Sequence, residues 1–65
     1  MNNNEFIVKC IDDLVDGISK NKLYNVSTIR KHSNGSLSYF IKDDYGQYNE
    51  FLSKRFEIIE CYIEV

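Results

Sequence analysis

Apolar and polar positions alternate with a period of two from Glu5 to Ile11. Phe6, Val8 and Cys10 fall in one phase; Ile7, Lys9 and Ile11 fall in the other. β-branched and aromatic residues dominate the stretch, which predicts a first strand. Leu23–Ile29 repeats the pattern, with Tyr24, Val26 and Thr28 in one phase and Asn25 and Ser27 opposite, and predicts a second. Leu37–Lys42, Gln47–Leu52 and Phe56–Val65 supply three more. The segments between them are punctuation. Asp12–Lys22 is a long connection under which Leu14, Val15 and Ile18 are expected to tuck. A short helix over Asp13–Ser19 is opposed by Gly17. Ser33-Asn34-Gly35-Ser36 holds the Asn-Gly pair favoured in hairpin turns. Asp43–Gly46 is a second tight turn, and Ser53–Arg55 a single turn of 3-10 type.

The last segment breaks the alternation. Phe56 and Ile58 share one phase, whereas Ile59, Cys61, Ile63 and Val65 share the other. A slip of one residue moves every later side chain to the opposite face. Either a bulge sits near Ile58–Ile59, or both faces of the strand are covered, which would need a partner strand or a second copy. The bulge is the simpler reading.

Sixty-five residues make one small domain, and a chain of this length buries only about 60% of the surface its unfolded form exposes. Five Tyr and four Phe offset that by supplying large buried areas. Met1–Asn4 is polar and expected to be disordered, leaving residues 5–65 as the domain. The net charge is -2, whereas non-specific nucleic-acid binding needs a basic face. Three local basic clusters stand out: Lys20 with Lys22, Arg30 with Lys31 and His32, and Lys54 with Arg55. They read as solvated charge before phosphate contacts. His32 is expected to be an exposed loop residue. No apolar run approaches the roughly 20 residues of a membrane span, and MNNNEF lacks the basic start and apolar core of a signal peptide. The expected compartment is the cytoplasm, where Cys10 and Cys61 stay reduced.

Candidate chemistry is sparse. Asp12, Asp13 and Asp16 form one acidic group and Asp43 with Asp44 another, but both lie in turn-like sequence where Asp serves local hydrogen bonds. Two cysteines and one histidine have no zinc-ligand spacing. The chain therefore reads as a non-enzyme with no cofactor or metal. Cys10 and Cys61 read as buried thiols, although neighbouring first and last strands would let them approach. Candidate partner-binding residues are Phe40, Tyr45, Tyr48 and Tyr62, since Tyr is enriched at protein interfaces. Ile63 and Val65 join them, because the alternating tail Glu60–Val65 invites strand addition by a partner or a homodimer. The competing reading of that tail is pairing with the first strand. A second functional class is nucleic-acid or nucleotide binding, with Tyr39, Phe40 and Tyr48 stacking on bases and Arg30, Lys31 and Lys54 on phosphates. The acidic balance opposes it.

The segments VKCIDD, ISKNKLYNV, YFIKDDYGQ and KRFEII, in that order, resemble the serial signature of small SH3-like barrel proteins encoded by bacteriophages and prophages. The resemblance runs from Phe6 to Ile59. It implies an all-β fold: a five-stranded SH3-like small barrel with one short 3-10 turn before the last strand. Val8, Cys10, Tyr24, Val26, Ile41 and Phe56 would fill its interior. Asp43, Asp44 and Gly46 would build a hairpin. Arg55 would reach Asp12 or Asp13, or lie in water as most surface charges do. Asn21 stands where the family often has glycine. The fourth strand, YNEFLS, lacks the family's aromatic-proline element, so a groove for proline-rich ligands is not implied. The resemblance implies a protein that acts by protein–protein contact in the host cytosol, modulating or inhibiting a host enzyme or defence system. A structural or accessory subunit that only self-associates is the remaining reading.

Overall fold

A computed structural model describes residues 5–62, and for Glu5, Cys61 and Tyr62 the backbone alone. Its elements are β1 (Glu5–Cys10), β2 (Leu23–Lys31), β3 (Leu37–Lys42), β4 (Tyr48–Leu52), a 3-10 turn (Ser53–Arg55) and β5 (Phe56–Tyr62). The strands form one antiparallel sheet in the order β4-β3-β2-β1-β5. β2 runs two residues past the alternation seen in the sequence, whereas β1 stops one residue short and β4 starts one residue late. No helix forms over Asp13–Ser19. Among the described residues, no helix is long and apolar enough to cross a membrane.

β2 serves both halves of the sheet. Leu23–Asn25 pair with β1 and Val26–Lys31 pair with β3. Val26 opposes Ile41 and Thr28 opposes Phe40, which leaves Ser27 as an extra residue where the strand bends. The bend folds the sheet over on itself. Val8, Cys10 and Phe56 from one half are buried against Tyr39 and Ile41 from the other, with Ile18 and Tyr24 closing the cluster. Rings cross the gap: Phe6 meets Tyr39 edge-on at 5.2 Å, and Phe56 lies 5.9 Å from Tyr39 and 6.4 Å from Phe51. Such pairs are worth about 0.5–1.5 kcal/mol each beyond the area they bury.

The sheet is open. β4 and β5 are its two edges, and no ladder joins them among the described residues. The closed ladder of a barrel is therefore absent, and what stands is a five-stranded antiparallel sheet with one 3-10 turn.

The broken alternation in β5 is a bulge. Ile7 opposes Glu60 and Val8 opposes Ile58, so Ile59 is the extra residue. Phe56 then sits opposite Cys10 in the core, and both Ile58 and Ile59 are exposed at the edge. The tail pairs with β1 as far as Tyr62, the intramolecular alternative. The same register keeps the cysteines apart. Cys61 is opposite Phe6, four positions along β1 from Cys10. That is about 13 Å of strand at roughly 3.3 Å per residue, beyond the ~7 Å Cα separation a disulfide spans. Cys10 is a buried thiol, and burial pushes it above its ordinary pKa.

The long β1–β2 loop only partly covers the core. Ile18 is buried and Val15 half-buried, but Leu14 is 87% exposed, which corrects the expectation that it tucks under the loop. Asn21 closes the loop at φ 73°, a conformation Asn tolerates better than most residues. Arg55 does not lie free in water: its Nη1 is 3.0 Å from Asp12 Oδ2, and its backbone carbonyl accepts from Ile11 N–H.

Candidate functional site: the outer face of the second sheet half

Alternation along β3 sends Tyr39 and Ile41 into the core and leaves Ser38, Phe40 and Lys42 on the outer face. Register extends that face across its neighbours. Ser38 stands between Arg30 and Leu52, Phe40 between Thr28 and Glu50, and Lys42 opposite Tyr48. One face thus carries two aromatics, Phe40 and Tyr48, with Arg30, Lys42 and a single carboxylate, Glu50.

At one end of this face is a groove lined by Lys22, Leu23, Asn25, Ser27, Lys42 and Tyr48, with Tyr24 at its base. Tyr48 is 64% and Leu23 54% exposed. The other end is closed by His32, whose half-buried ring corrects its reading as an exposed loop residue. Its Nε2 lies 2.6 Å from Ser38 Oγ and 3.6 Å from Glu50 Oε2. Arg30 Nη1 lies 3.4 Å from Glu50 Oε1. The residue types suggest a serine–histidine–carboxylate site, but the geometry does not. One ring nitrogen faces both partners, whereas a catalytic histidine uses one nitrogen for each. Ser38 is also only 1% exposed. The cluster instead pins the β2–β3 turn to the sheet.

The acidic residues are structural ties. Asp43 accepts from the backbone N–H groups of Tyr45 and Gln47 and from Asn49 Nδ2, which holds its carboxyl below the usual range. Asp44 joins the hairpin to the β1–β2 loop. Its carboxylate accepts from Lys22 Nζ at 2.8 Å, Ser19 Oγ at 2.6 Å and Tyr24 OH at 2.8 Å, and its own N–H donates to Gly17 O. Those donors favour the charged form and hold Asp44 at about 2; the same contact raises Lys22. Tyr45 OH donates to Asp16 Oδ1 and titrates above its ordinary value in consequence. Among the described residues, no three His, Cys, Asp or Glu side chains gather in a way that would hold a metal ion.

This tie has a pH signature. A carboxyl whose folded pKa is depressed adds stability above its unfolded value of roughly 3.9, and that share is lost as pH falls through the folded value. Asp44's contribution is therefore complete at neutral pH and disappears between pH ~4 and about 2. Asp44→Asn is expected to be less stable than the parent at neutral pH and to lose less on acidification. Urea unfolding at both pH values measures this, and equal acid losses in the two proteins would remove Asp44 from the tie.

The sequence-flagged residues divide. Tyr45 (67% exposed) and Tyr48 are surface aromatics, and Phe40 is half-buried on the same face as Tyr48. The side chain of Tyr62, together with Ile63 and Val65, lies outside the described residues. Tyr39, proposed as a base-stacking residue, is 5% exposed in the core, because it occupies the inward phase of β3. Arg30 is engaged by Glu50. Lys31 is on the phase opposite Arg30, and Lys54 belongs to the 3-10 turn, so the three cations do not form one stripe. Sequence reading missed Lys22, Leu23 and Lys42 as groove residues. The signal was the hairpin register: a turn centred on Asp43–Gly46 sets Lys42 across from Tyr48.

Compared with protein-family models, with curated proteins and with solved structures, the chain finds no match in any of the three.

Proposed function

We propose that the chain is an SH3-like small barrel protein of the phage type that works by protein–protein contact, using the outer face of β2–β3–β4. Support for the fold part comes from the strand order, the long β1–β2 loop, the two tight turns and the 3-10 turn before β5. The observation that carries the functional part is Tyr48. It is a largely exposed aromatic beside an exposed Leu23 and opposite Lys42, on a face that also presents Phe40. Aromatics, tyrosine among them, are common anchors of protein interfaces. The nucleic-acid reading is weaker, since Tyr39 is in the core and Arg30 is held by Glu50. In this proposal the contact modulates or inhibits a host enzyme or defence protein, as the resemblance to phage-encoded barrels implies.

The test is capture from host lysate by the tagged chain, run beside Tyr48→Ser. The parent is expected to retain one host protein in stoichiometric amount. The variant, melting at the same temperature, is expected to lose it, since truncating a central aromatic costs about 2 kcal/mol or more of binding. Retention of nucleic acid alone, or capture indifferent to Tyr48, would count against the proposal.

A further inference from the structure

We infer that the Lys22–Lys42–Tyr48 groove takes an acidic segment of a partner protein: one Asp or Glu carboxylate set beside an apolar side chain. The inference rests on the protein-contact reading above and names what that surface recognises.

Charge distribution is the first ground. The chain carries more acids than bases, yet no residue lining this groove bears a carboxylate. The two lysines hold different positions. Lys22 is fixed at one wall by Asp44 at 2.8 Å. Lys42 is exposed, and its side-chain ammonium has no hydrogen-bond or ion-pair partner among the described residues. A carboxylate entering here meets one uncompensated ammonium, together with the hydrogen-bonding side chains of exposed Asn25 and Ser27. The second ground is shape and polarity. Leu23 and Tyr48 are both more than half exposed and offer apolar surface beside that charge. A carboxylate with an apolar neighbour satisfies both halves of the site.

The same facts favour a peptide over a polynucleotide. A nucleic-acid strand needs a row of cations along its phosphates. On this face Arg30 is held by Glu50 and Lys22 by Asp44, which leaves one unpaired lysine. The net charge of -2 also repels a long polyanion.

The experiment is amide-signal titration of the isotope-labelled full chain with three probes. One is the capped peptide Ac-Leu-Glu-Phe-Glu-NH2, one its counterpart Ac-Leu-Lys-Phe-Lys-NH2, and one a short oligothymidylate. The acidic peptide is expected to move the signals of Leu23, Asn25, Ser27, Lys42 and Tyr48 at millimolar concentration, and the basic peptide to leave them unchanged. Lys42→Glu is expected to weaken the acidic peptide about tenfold, because it sets like charges against each other. Lys42→Arg keeps the charge and is expected to retain binding; native signal dispersion in both variants establishes that they fold. Acidic peptide that moves other surfaces, is indifferent to Lys42→Glu, or moves nothing at millimolar concentration overturns the groove assignment while leaving protein contact standing. Oligothymidylate binding that falls steeply with salt, with no response to either peptide, overturns both.

Discussion

Phe56→Ala is expected to remove most of the stability of this protein. Truncating a buried phenylalanine costs about 3–5 kcal/mol. A 65-residue domain holds roughly 3–10 kcal/mol in total, at about 0.05–0.15 kcal/mol per residue. Phe56 is 7% exposed, and its ring lies 6.2 Å from Tyr24, 5.9 Å from Tyr39 and 6.4 Å from Phe51. These neighbours come from β2, β3 and β4, so one cavity would loosen both halves of the folded sheet. Urea unfolding followed by circular dichroism measures the loss. Ile59→Ala, at the exposed bulge of the same strand, is the control and is expected to change stability by no more than about 0.5 kcal/mol. A loss below about 1 kcal/mol for Phe56→Ala would mean that the two halves are not joined through this ring.

The strands were legible as strands because a buried face imposes a period of two. Of the residues that the resemblance placed inside, Val8, Cys10, Tyr24, Ile41 and Phe56 are buried, whereas Val26 is only half-buried. Turn chemistry was legible for the same local reason: the β3–β4 connection and the 3-10 turn fall where Asp43–Gly46 and Ser53–Arg55 place them. The break of phase at Ile58–Ile59 also told its own story, as a bulge opposite Ile7–Val8. What a one-dimensional pattern could not show is long-range. Leu14 and Ile18 are both apolar residues in one loop, but only Ile18 reaches the core. The bend at Ser27 ends the phase that placed Thr28 with Tyr24 and Val26, and Thr28 is exposed.

The site was legible only in part, for a related reason. Exposed tyrosines can be listed from sequence, but which of them share a surface depends on register. Tyr39 and Phe40 are adjacent in sequence and lie on opposite faces, one in the core and one outside. Lys22 and Lys42 are 20 residues apart and line one groove, because Asp44 binds the β1–β2 loop to the hairpin that follows Lys42. The acidic residues, read from sequence as turn residues that serve local hydrogen bonds, make such bonds in the turns, and Asp12, Asp16 and Asp44 also accept from residues distant in sequence.

Gly17 is where that tie meets the backbone, and Gly17→Ala is the second change with a large expected effect. Its φ is +100°, and its carbonyl accepts the Asp44 N–H at 2.8 Å. A Cβ there would stand 3.4 Å from Phe51 Cζ and 3.5 Å from Asp43 Cβ, contacts that fit without displacing either. The cost is therefore conformational, about 1–3 kcal/mol for holding a side-chain-bearing residue at positive φ. The chain can relieve it by letting the loop leave the hairpin, which separates Lys22 from Lys42. Gly35→Ala is the informative comparison. Gly35 has φ +92° and open space around it, in a turn that touches neither lysine. Both variants are expected to lose stability in urea. Only Gly17→Ala is expected to shift the amide signals of the groove and weaken the acidic peptide. Equal effects of the two variants on those signals would show that the groove does not depend on the loop–hairpin tie, and that its lysines are held by β2 and β3 alone.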